Sequence, residues 1–277
     1  MDSILVFLSG TSGSGKNTII NGVIENNKNC KFLVSNTTRE KRPSDKRVGQ
    51  YHFISKKQFE DKIAAGEILE YDSYNGNYYG LGVDEVLKYI GTGKILLKDL
   101  TIKGVLNSKE VLRGKIKQVN VFVTQKKKTL KARLIARGEN KENIKNRLKL
   151  YNAEQKMSKF CDYIIVNELI PQSVAIAESI INTEYNNLPI FTNVSTERVS
   201  AKRIDKVAAK LRKGKVLKPI KVAAINKRIY ILEGLNTYLA SLQEGVNIPK
   251  LFVNKPEKIS ADANNDEWIK IVENYRK

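Results

Sequence analysis

The chain has 277 residues, of which 41% are hydrophobic and 28% are charged, a balance typical of a globular protein that buries a core. Nothing approaches the roughly 20 apolar residues of a membrane-spanning helix, and no segment resembles a signal peptide. We therefore expect a cytoplasmic protein with no membrane partner. Cys30 and Cys161 lack metal-ligand spacing, which predicts two free thiols.

The formal net charge of +20 favours negatively charged partners, because excess Lys and Arg raise the local concentration of phosphate-bearing molecules. Nucleotides and nucleic acids both meet this description. A solvated lysine-rich surface gives the same charge, so charge alone does not choose among these interpretations.

An apolar strand, a glycine-rich loop and a helix are predicted in that order from residues 4–8, 10–16 and 18–24. Helical patterns separate three further segments with the character of buried parallel strands: 94–97, 119–124 and 163–166. This order predicts an α/β fold in which helices cover a parallel sheet. Two basic helical stretches, 126–137 and 143–159, are predicted to form a lid.

The glycine-rich loop reads GTSGSGK and fits the pattern G-x-x-x-x-G-K between a strand and a helix. Its backbone amides can converge on the β-phosphate of ATP, and the helix N-terminus adds partial positive charge. Lys16 is expected to bridge the β- and γ-phosphates. The predicted ATP-binding residues of this segment are Gly10, Ser12, Gly13, Ser14, Gly15, Lys16, Asn17 and Thr18.

Magnesium is the expected cofactor, although the position that usually carries its Ser or Thr ligand is Asn17, followed by Thr18. An amide oxygen can coordinate Mg²⁺. Asp99, which follows the strand predicted at 95–97, is the candidate for orienting Mg²⁺ through water. The predicted metal-site residues are therefore Asn17, Thr18 and Asp99.

Two further segments extend the pattern: VSNTTREKRP at 34–43 with GQYHF at 49–53, and GNYYG at 76–80. With the glycine-rich loop and RLIARG at 133–138, the chain resembles the guanylate kinase family over about residues 4–183. The resemblance implies a P-loop nucleoside monophosphate kinase with a parallel sheet and a helical lid. Such an enzyme transfers the γ-phosphate of ATP to GMP or dGMP.

Site residues follow from this resemblance, because the family clamps the acceptor monophosphate with arginines and neutral hydroxyl donors. The matching residues here are Ser35, Arg39, Arg42, Tyr51 and Tyr79. Catalysis rests on positioning and charge neutralisation, which the resemblance assigns to Lys16, Arg39, Arg133, Arg137, Arg147 and Asp99. Asn167 is expected to face the donor nucleoside.

Base recognition in the family uses an acidic residue, a hydroxyl and an aspartate, and the matching residues are Glu70, Leu81 and Thr101. Leu81 cannot donate a hydrogen bond to guanine O6, and lost polar contacts can change base selectivity strongly. Two alternatives stay open: a kinase for a modified or non-guanine nucleotide, and a non-catalytic binding module of the same fold. The intact Gly15-Lys16 pair argues against the second.

A smaller α+β domain is predicted after residue 187, which gives domains at 1–187 and 188–277. Ser200 is expected to cap an amphipathic helix that Gly214 ends. With KPI at 218–220, a strand at 229–232 and the Glu-Gly pair at 233–234, residues 188–254 resemble the ParB-like N-terminal domain. The arginine-containing segment with which that family binds nucleotide phosphate is replaced by LNTY at 235–238.

The second domain is strongly basic, with twelve Lys and Arg residues against the single acid Asp205 in residues 198–228. Three roles stay open: nucleic-acid binding through the basic helix, a second nucleotide or small-molecule site around Glu233 and Asn236, or packing and oligomerisation, which includes a homodimer. The concentration of charge favours nucleic acid. A terminal helix carrying Trp268 is expected to dock back on the domain.

Overall fold

The computed structural model describes residues 2–41, 51–74, 76–136, 138–192, 194–253 and 265–276. The chain divides into two units. The first unit consists of Met1–Ser9 and Ile24–Asn120, and the second consists of Gly10–Val23 and Val121–Lys277.

The elements that begin before residue 121 are eight strands and four helices in the described part of the chain. They are β1 (Ile4–Gly10), α1 (Lys16–Asn26), β2 (Cys30–Phe32), β3 (Ser35–Thr37), β4 (Tyr51–Phe53), α2 (Lys56–Ala64), β5 (Ile68–Tyr74), β6 (Asn77–Gly82), α3 (Val83–Leu87), β7 (Ile95–Asp99), α4 (Ile102–Val111) and β8 (Lys117–Thr124).

The remaining elements belong to the second unit. They are α5 (Lys127–Ala136), α6 (Lys141–Lys156), β9 (Tyr163–Val166), α7 (Ile170–Tyr185), β10 (Phe191–Thr192), α8 (Ala201–Arg212), β11 (Ile220–Ile225), β12 (Arg228–Glu233), α9 (Leu235–Gln243), β13 (Lys250–Phe252) and α10 (Asn265–Tyr275).

In the first unit, β7 lies between β1 and β2 and is parallel to both, with Ile95 paired to Ile4 on one side and to Cys30 on the other. The side chains of β1 are buried along nearly its whole length, as expected for a parallel strand covered on both faces. A separate sheet has the order β4-β3-β6-β5, in which β3 and β4 are parallel and the other two pairings are antiparallel.

The core of the first unit is aliphatic apart from one aromatic ring and gathers residues from β1, β5, β6, β7 and α4. Its buried members are Leu5, Phe7, Leu33, Leu69, Leu81, Val86, Leu96, Leu100, Val105 and Leu112. This core fixes the ends of β5, β6 and β7, from which the predicted base-reading residues come.

In the second unit, the strand order is β10-β12-β11-β13-β9-β8. The pair β11–β12 is an antiparallel hairpin whose turn residues Asn226 and Lys227 have φ of 49° and 61°, while the other neighbours are parallel. In particular, β13 is parallel to β9, with Lys250 paired to Tyr163. The predicted boundary between residues 187 and 188 therefore falls inside one unit.

The helices of residues 188–277 agree with the sequence prediction. The Ser200 hydroxyl caps α8 by accepting a hydrogen bond from the Arg203 amide, and Gly214 follows the helix at φ 68°. Helix α10 buries Trp268 completely, and its indole Nε1 donates to the Ile190 carbonyl at 2.8 Å. Docking of the terminal helix is confirmed.

The structure confirms the predicted α/β fold with mostly parallel pairing. The two basic stretches form α5 and α6, although α6 stops at Lys156 and a 3₁₀ turn takes residues 157–160. Cys30 and Cys161 are both buried, and no disulfide joins them. Among the residues described, no helix is both long enough and apolar enough to cross a bilayer.

Candidate active site

The glycine-rich loop of the second unit has a backbone that only glycine adopts easily. Gly10, Gly13 and Gly15 have φ of 131°, 78° and 94°, in the left-handed region. At Gly10 there is also no room for a side chain, since a Cβ would lie 2.0 Å from the Val123 carbonyl oxygen. The Thr11 amide donates to the same oxygen at 3.2 Å. The loop is therefore bound tightly to the end of β8.

The Lys16 side chain curls back over this loop. Its Nζ donates to the carbonyls of Gly10 at 3.1 Å and Thr11 at 3.3 Å. Lys16 is also the first residue of α1, so its ammonium lies at the positive end of the helix dipole. Charge and dipole together make this loop a site for anions.

Two buried amide side chains hold the carbonyls of the loop. Asn167, which is fully buried, donates from Nδ2 to the Ser14 carbonyl at 2.7 Å, and its Oδ1 accepts from the Ser173 hydroxyl at 3.0 Å. Gln125 Nε2 donates to the Gly13 carbonyl at 3.1 Å. The Asn167 amide therefore acts on the loop itself. Its expected role towards the donor nucleoside stays a prediction.

Two of the three predicted lid arginines lie beside the loop. Arg133 Nη2 donates to the carbonyls of Asn167 and Glu168 at 3.2 and 3.3 Å. Arg147 Nη1 donates to the Ser12 hydroxyl, and its Nε lies 3.0 Å from Glu139 Oε2. Arg137 lies outside the described residues.

An unpredicted carboxylate contacts the loop. Glu154 Oε2 accepts a hydrogen bond from the Ser12 amide at 3.3 Å. Glu154 and Arg147 are seven residues apart on α6, which is two helical turns and hence the same face. Only that spacing could have indicated the contact from sequence. An anionic oxygen on a loop amide is the interaction that a phosphate would make there.

The predicted metal ligands Asn17 and Thr18 follow Lys16 in the first turn of α1, and both residues are exposed. Magnesium in phosphoryl-transfer sites is typically held by one or two side chains together with substrate phosphates and water. An amide oxygen and a hydroxyl at this position fit such an ion. Asp99, the third predicted residue, belongs to the first unit.

Asp99 is paired with a buried lysine that sequence reasoning missed. Lys98 is 8% exposed, and its Nζ lies 3.8 Å from Asp99 Oδ1 and 4.5 Å from the centroid of the Phe32 ring. Burial lowers the pKa of Lys98, because desolvation disfavours the charged amine. The signal in the sequence is a single lysine inside the otherwise apolar strand segment ILLKD.

The predicted acceptor clamp gathers on β3, β4 and β6 of the first unit. Ser35 pairs with Tyr51 across β3 and β4, and the rings of Tyr51 and Tyr79 meet edge to face at 5.9 Å. The Arg39 guanidinium lies 5.8 Å from the Tyr51 centroid and 5.5 Å from that of Phe53. Four predicted residues thus come together, while Arg42 lies outside the described residues.

Glu70 and Thr101 form the polar part of the predicted base site. Glu70 Oε2 accepts from the Thr101 amide at 2.9 Å and from its hydroxyl at 2.6 Å. Burial raises the pKa of Glu70, and the Thr101 hydrogen bonds oppose that rise. Gly104 makes room for the carboxylate, since a Cβ there would lie 1.8 Å from Glu70 Oε2. Thr101 therefore orients the acid.

Leu81, the third predicted base-site residue, is 1% exposed and belongs to the apolar core of the first unit. It pairs with Glu70 across β5 and β6. Its side chain supplies packing beneath the site and no hydrogen bond.

Comparison with known proteins gives consistent matches over the first two thirds of the chain. A family model for guanylate kinase matches residues 3–184. The guanylate kinase of Clostridium tetani is 35% identical over 184 residues, which are 65% of this chain and 86% of that protein. The guanylate kinase of Bartonella henselae is 37% identical over 179 residues, which are 64% and 79% of the two chains. A crystal structure of guanylate kinase from Anaplasma phagocytophilum has 27% identity and a TM-score of 0.49, covering 67% of this chain and 89% of that chain.

Proposed function

The chain belongs to the guanylate kinase family, and from that premise we propose that it transfers the γ-phosphate of ATP to GMP or dGMP. The observation that carries this proposal is the loop of residues 10–16, with Lys16 curled over it and Arg133 and Arg147 beside it. Phosphoryl transfer needs positioning and neutralisation of charge more than covalent help from the protein. This arrangement supplies both on the donor side.

On the donor side, the loop amides and Lys16 hold the β- and γ-phosphates. Lys16 exchanges the carbonyls of Gly10 and Thr11 for phosphate oxygens, which are stronger acceptors. Arg133 and Arg147 stabilise the negative charge on the phosphoryl group during transfer. Arg137, outside the described residues, is proposed for the same role by family resemblance.

On the acceptor side, Arg39 clamps the monophosphate while the hydroxyls of Ser35, Tyr51 and Tyr79 donate to it. Stacking against Tyr51 and Phe53 holds the guanidinium in place without neutralising it. Arg42 is proposed as the second clamp. Binding the acceptor through several fixed donors orients its phosphate for attack.

The base is read by Glu70, whose carboxylate accepts hydrogen bonds from guanine N1–H and N2–H. Thr101 fixes the orientation of this carboxylate. Glu70 is half-buried, and a carboxylate that pairs with a base edge discriminates among bases, because a base without the matching donors leaves those hydrogen bonds unmade.

Magnesium is the proposed cofactor. Asn17 and Thr18 would hold it together with the ATP phosphates, and Asp99 would orient it through water. When bound, the ion neutralises charge on the β- and γ-phosphates.

The test is release of ADP from ATP over a panel of ribo- and deoxyribonucleoside monophosphates, with Lys16→Ala as the inactive variant. Lys57→Ala, which removes an exposed lysine that pairs with Asp61, is the matched control. We expect turnover of GMP or dGMP that falls about 100-fold or more in Lys16→Ala and is unchanged in Lys57→Ala. Turnover of no nucleotide would favour the non-catalytic binding module.

The second candidate is a kinase for a modified or non-guanine nucleotide, and the observation that favours it is the burial of Leu81 in the core. Because Leu81 has no hydrogen-bond donor, a base without the O6 acceptor would lose no hydrogen bond at this position. The same panel decides, because this candidate requires faster turnover of another nucleotide than of GMP.

For residues 188–277, nucleic-acid binding through the exposed basic face of α8 remains a proposal, as do the ParB-like identity, a homodimer and the cytoplasmic location. The supporting observation for nucleic acid is that the polar face of α8 carries five Lys and Arg residues and one acid. Binding of an oligonucleotide that weakens steeply with added salt would be the expected signature.

A further inference from the structure

A cavity of about 520 Å³ lies beside α8 and the start of α9, inside the second unit. All of its lining residues fall between 194 and 237, outside the segment 3–184 that matches the kinase family. Its volume is in the range of sites that bind small molecules. Phosphoryl transfer makes no use of it.

Four cationic side chains line this cavity: Arg198, Arg203, Lys206 and Lys210. The last three follow one another at helical spacing along one face of α8. In the described part of the chain, none of the four lies within 4 Å of a carboxylate. Glu233, the acid of the lining, forms its ion pair with Lys221 at 2.9 Å. All four side chains are exposed, and together they give this volume a positive potential that favours an anion.

The N-terminus of α9 supplies further positive potential. Gly234 precedes this nine-residue helix at φ 96° and offers no side-chain cap to its first amides. Asn236 joins the segment before α8 to this helix, because Oδ1 accepts from the Ser200 amide at 2.8 Å and Nδ2 donates to the Arg198 carbonyl at 3.1 Å. The segment that carries Arg198 is therefore fixed against α9 before any ligand binds.

The rest of the lining is largely apolar and includes Val194, Val207, Leu232 and Leu235. A concave site with cations on one side and aliphatic side chains on the other suits a compact molecule with an anionic end and a less polar body. A nucleic-acid backbone needs an extended row of charges instead. We propose that this cavity binds a small phosphorylated molecule, with its phosphate between the α8 cations and the N-terminus of α9.

The test uses the full chain carrying Lys16→Ala, so that the kinase loop contributes less to phosphate binding, and compares variants that share this change. Pyrophosphate is titrated and followed by calorimetry and by the fluorescence of Trp268, the only tryptophan. The indole lies 6.2 Å from the ring of Tyr238 on α9, so it reports on that helix. The cavity variant is Arg203→Gln/Lys206→Gln. The control, Lys202→Gln/Lys213→Gln, removes the same charge from α8 and its C-cap, outside the cavity lining.

We expect pyrophosphate to bind about 10-fold more weakly to the cavity variant, which loses two charge-assisted contacts, and equally well to the control. Lys210→Gln, a single change on an exposed residue, should also weaken pyrophosphate binding. It replaces the double variant in the test if the double variant unfolds. ATP and inorganic phosphate are titrated in parallel. If ATP binds more tightly than pyrophosphate and this binding is lost in the cavity variant, the ligand is a nucleotide. If pyrophosphate binds as tightly as ATP, the ligand is a free phosphate.

Three results would overturn the proposal. Equal losses in the cavity and control variants would mean that only the general surface charge matters. Absence of binding by any of the phosphate probes would remove the site. Binding of an oligonucleotide alone, with no competition from pyrophosphate, would assign the cations to nucleic acid instead.

Discussion

Thr101 holds Glu70 twice, through its backbone amide at 2.9 Å and its hydroxyl at 2.6 Å. The same hydroxyl accepts a hydrogen bond from the Gly104 amide at 3.2 Å and so caps α4. One side chain therefore starts a helix and orients the acid that is proposed to read the base. Base recognition and the position of α4 are linked through this threonine.

Replacing Thr101 with valine removes the hydroxyl and leaves the hydrogen bond from the backbone amide to Glu70 in place. The lost hydrogen bond favours the ionised form of Glu70, so the pKa of Glu70 should rise further in the variant. We expect kcat/KM for GMP to fall about 10-fold at neutral pH. The acid limb of the profile of kcat/KM against pH should move to higher pH. Thr101→Ser should restore both, and an unshifted acid limb in Thr101→Val would separate Thr101 from the ionisation of Glu70.

Glu70→Gln should separate stability from activity. Because the folded pKa of Glu70 is raised, its favourable contribution to folding is complete below the ordinary range of Glu and is lost as pH rises through the folded pKa. At pH 7 the neutral amide should therefore unfold at the same temperature as Glu70 or a higher one. GMP turnover should fall roughly 100-fold or more, since the proposed hydrogen-bond partner of the base is changed. A lower Tm at pH 7 would show that Glu70 stabilises the fold in its ionised state.

Glu154 accepts a hydrogen bond from the Ser12 amide, a donor that we propose for a phosphate of ATP. Glu154→Gln replaces the carboxylate by a neutral, weaker acceptor, so ATP should bind roughly 3-fold more tightly to the variant. Glu142→Gln, an exposed change in the first turn of α6, is the control and should leave ATP affinity unchanged. Calorimetry with ATP makes the comparison. Weaker binding to Glu154→Gln would instead place this carboxylate among the groups that support the nucleotide.

Two glycines with positive φ allow a matched test of the loop geometry. Gly10→Ala places a Cβ 2.0 Å from the Val123 carbonyl, whereas Gly114→Ala meets nothing within 4 Å. In Gly114→Ala the only strain is that of alanine at a φ of 71°, which should lower the free energy of unfolding by about 1 kcal/mol. Gly10→Ala adds a backbone clash and should lower it by roughly 3 kcal/mol or more. Urea denaturation measures both, and equal losses would contradict the clash.

Truncation after residue 187 tests whether the C-terminal segment can be removed. It deletes β13, the strand parallel to β9, together with the Phe252 ring that lies 6.1 Å from the Tyr163 ring. The truncated chain should melt at a clearly lower temperature or precipitate, because β9 loses a neighbour and buried side chains reach water. A chain ending at 253, which loses only residues after β13, should be affected less. An unchanged Tm in the 1–187 chain would establish the domain boundary predicted from sequence.

The parts of the molecule predicted well from sequence are those with local signals. The glycine loop follows from its spacing between an apolar strand and a helix, and α8 follows from the Ser200 cap, its apolar stripe and Gly214. These features depend on residues within a few turns of one another. Backbone geometry and hydrogen-bonding chemistry then determine the local structure.

The parts that were missed depend on residues far apart in the chain. The contact between Glu154 and the Ser12 amide joins residues 142 positions apart, and the pairing of β13 with β9 joins strands more than eighty positions apart. Neither has a periodicity or a cap that a local reading can detect. Burial of Leu81 and Lys98 likewise depends on which face of the sheet the core covers.

The pairing of β9 with β13 also determines when synthesis can complete this sheet. A nascent chain emerges from its N-terminus, so β9 leaves the ribosome more than eighty residues before Lys250–Phe252. During that interval one side of Tyr163–Val166 has no strand to pair with, and an unpaired strand edge invites association with other chains. Newly made copies should therefore depend on chaperones until the last strand arrives.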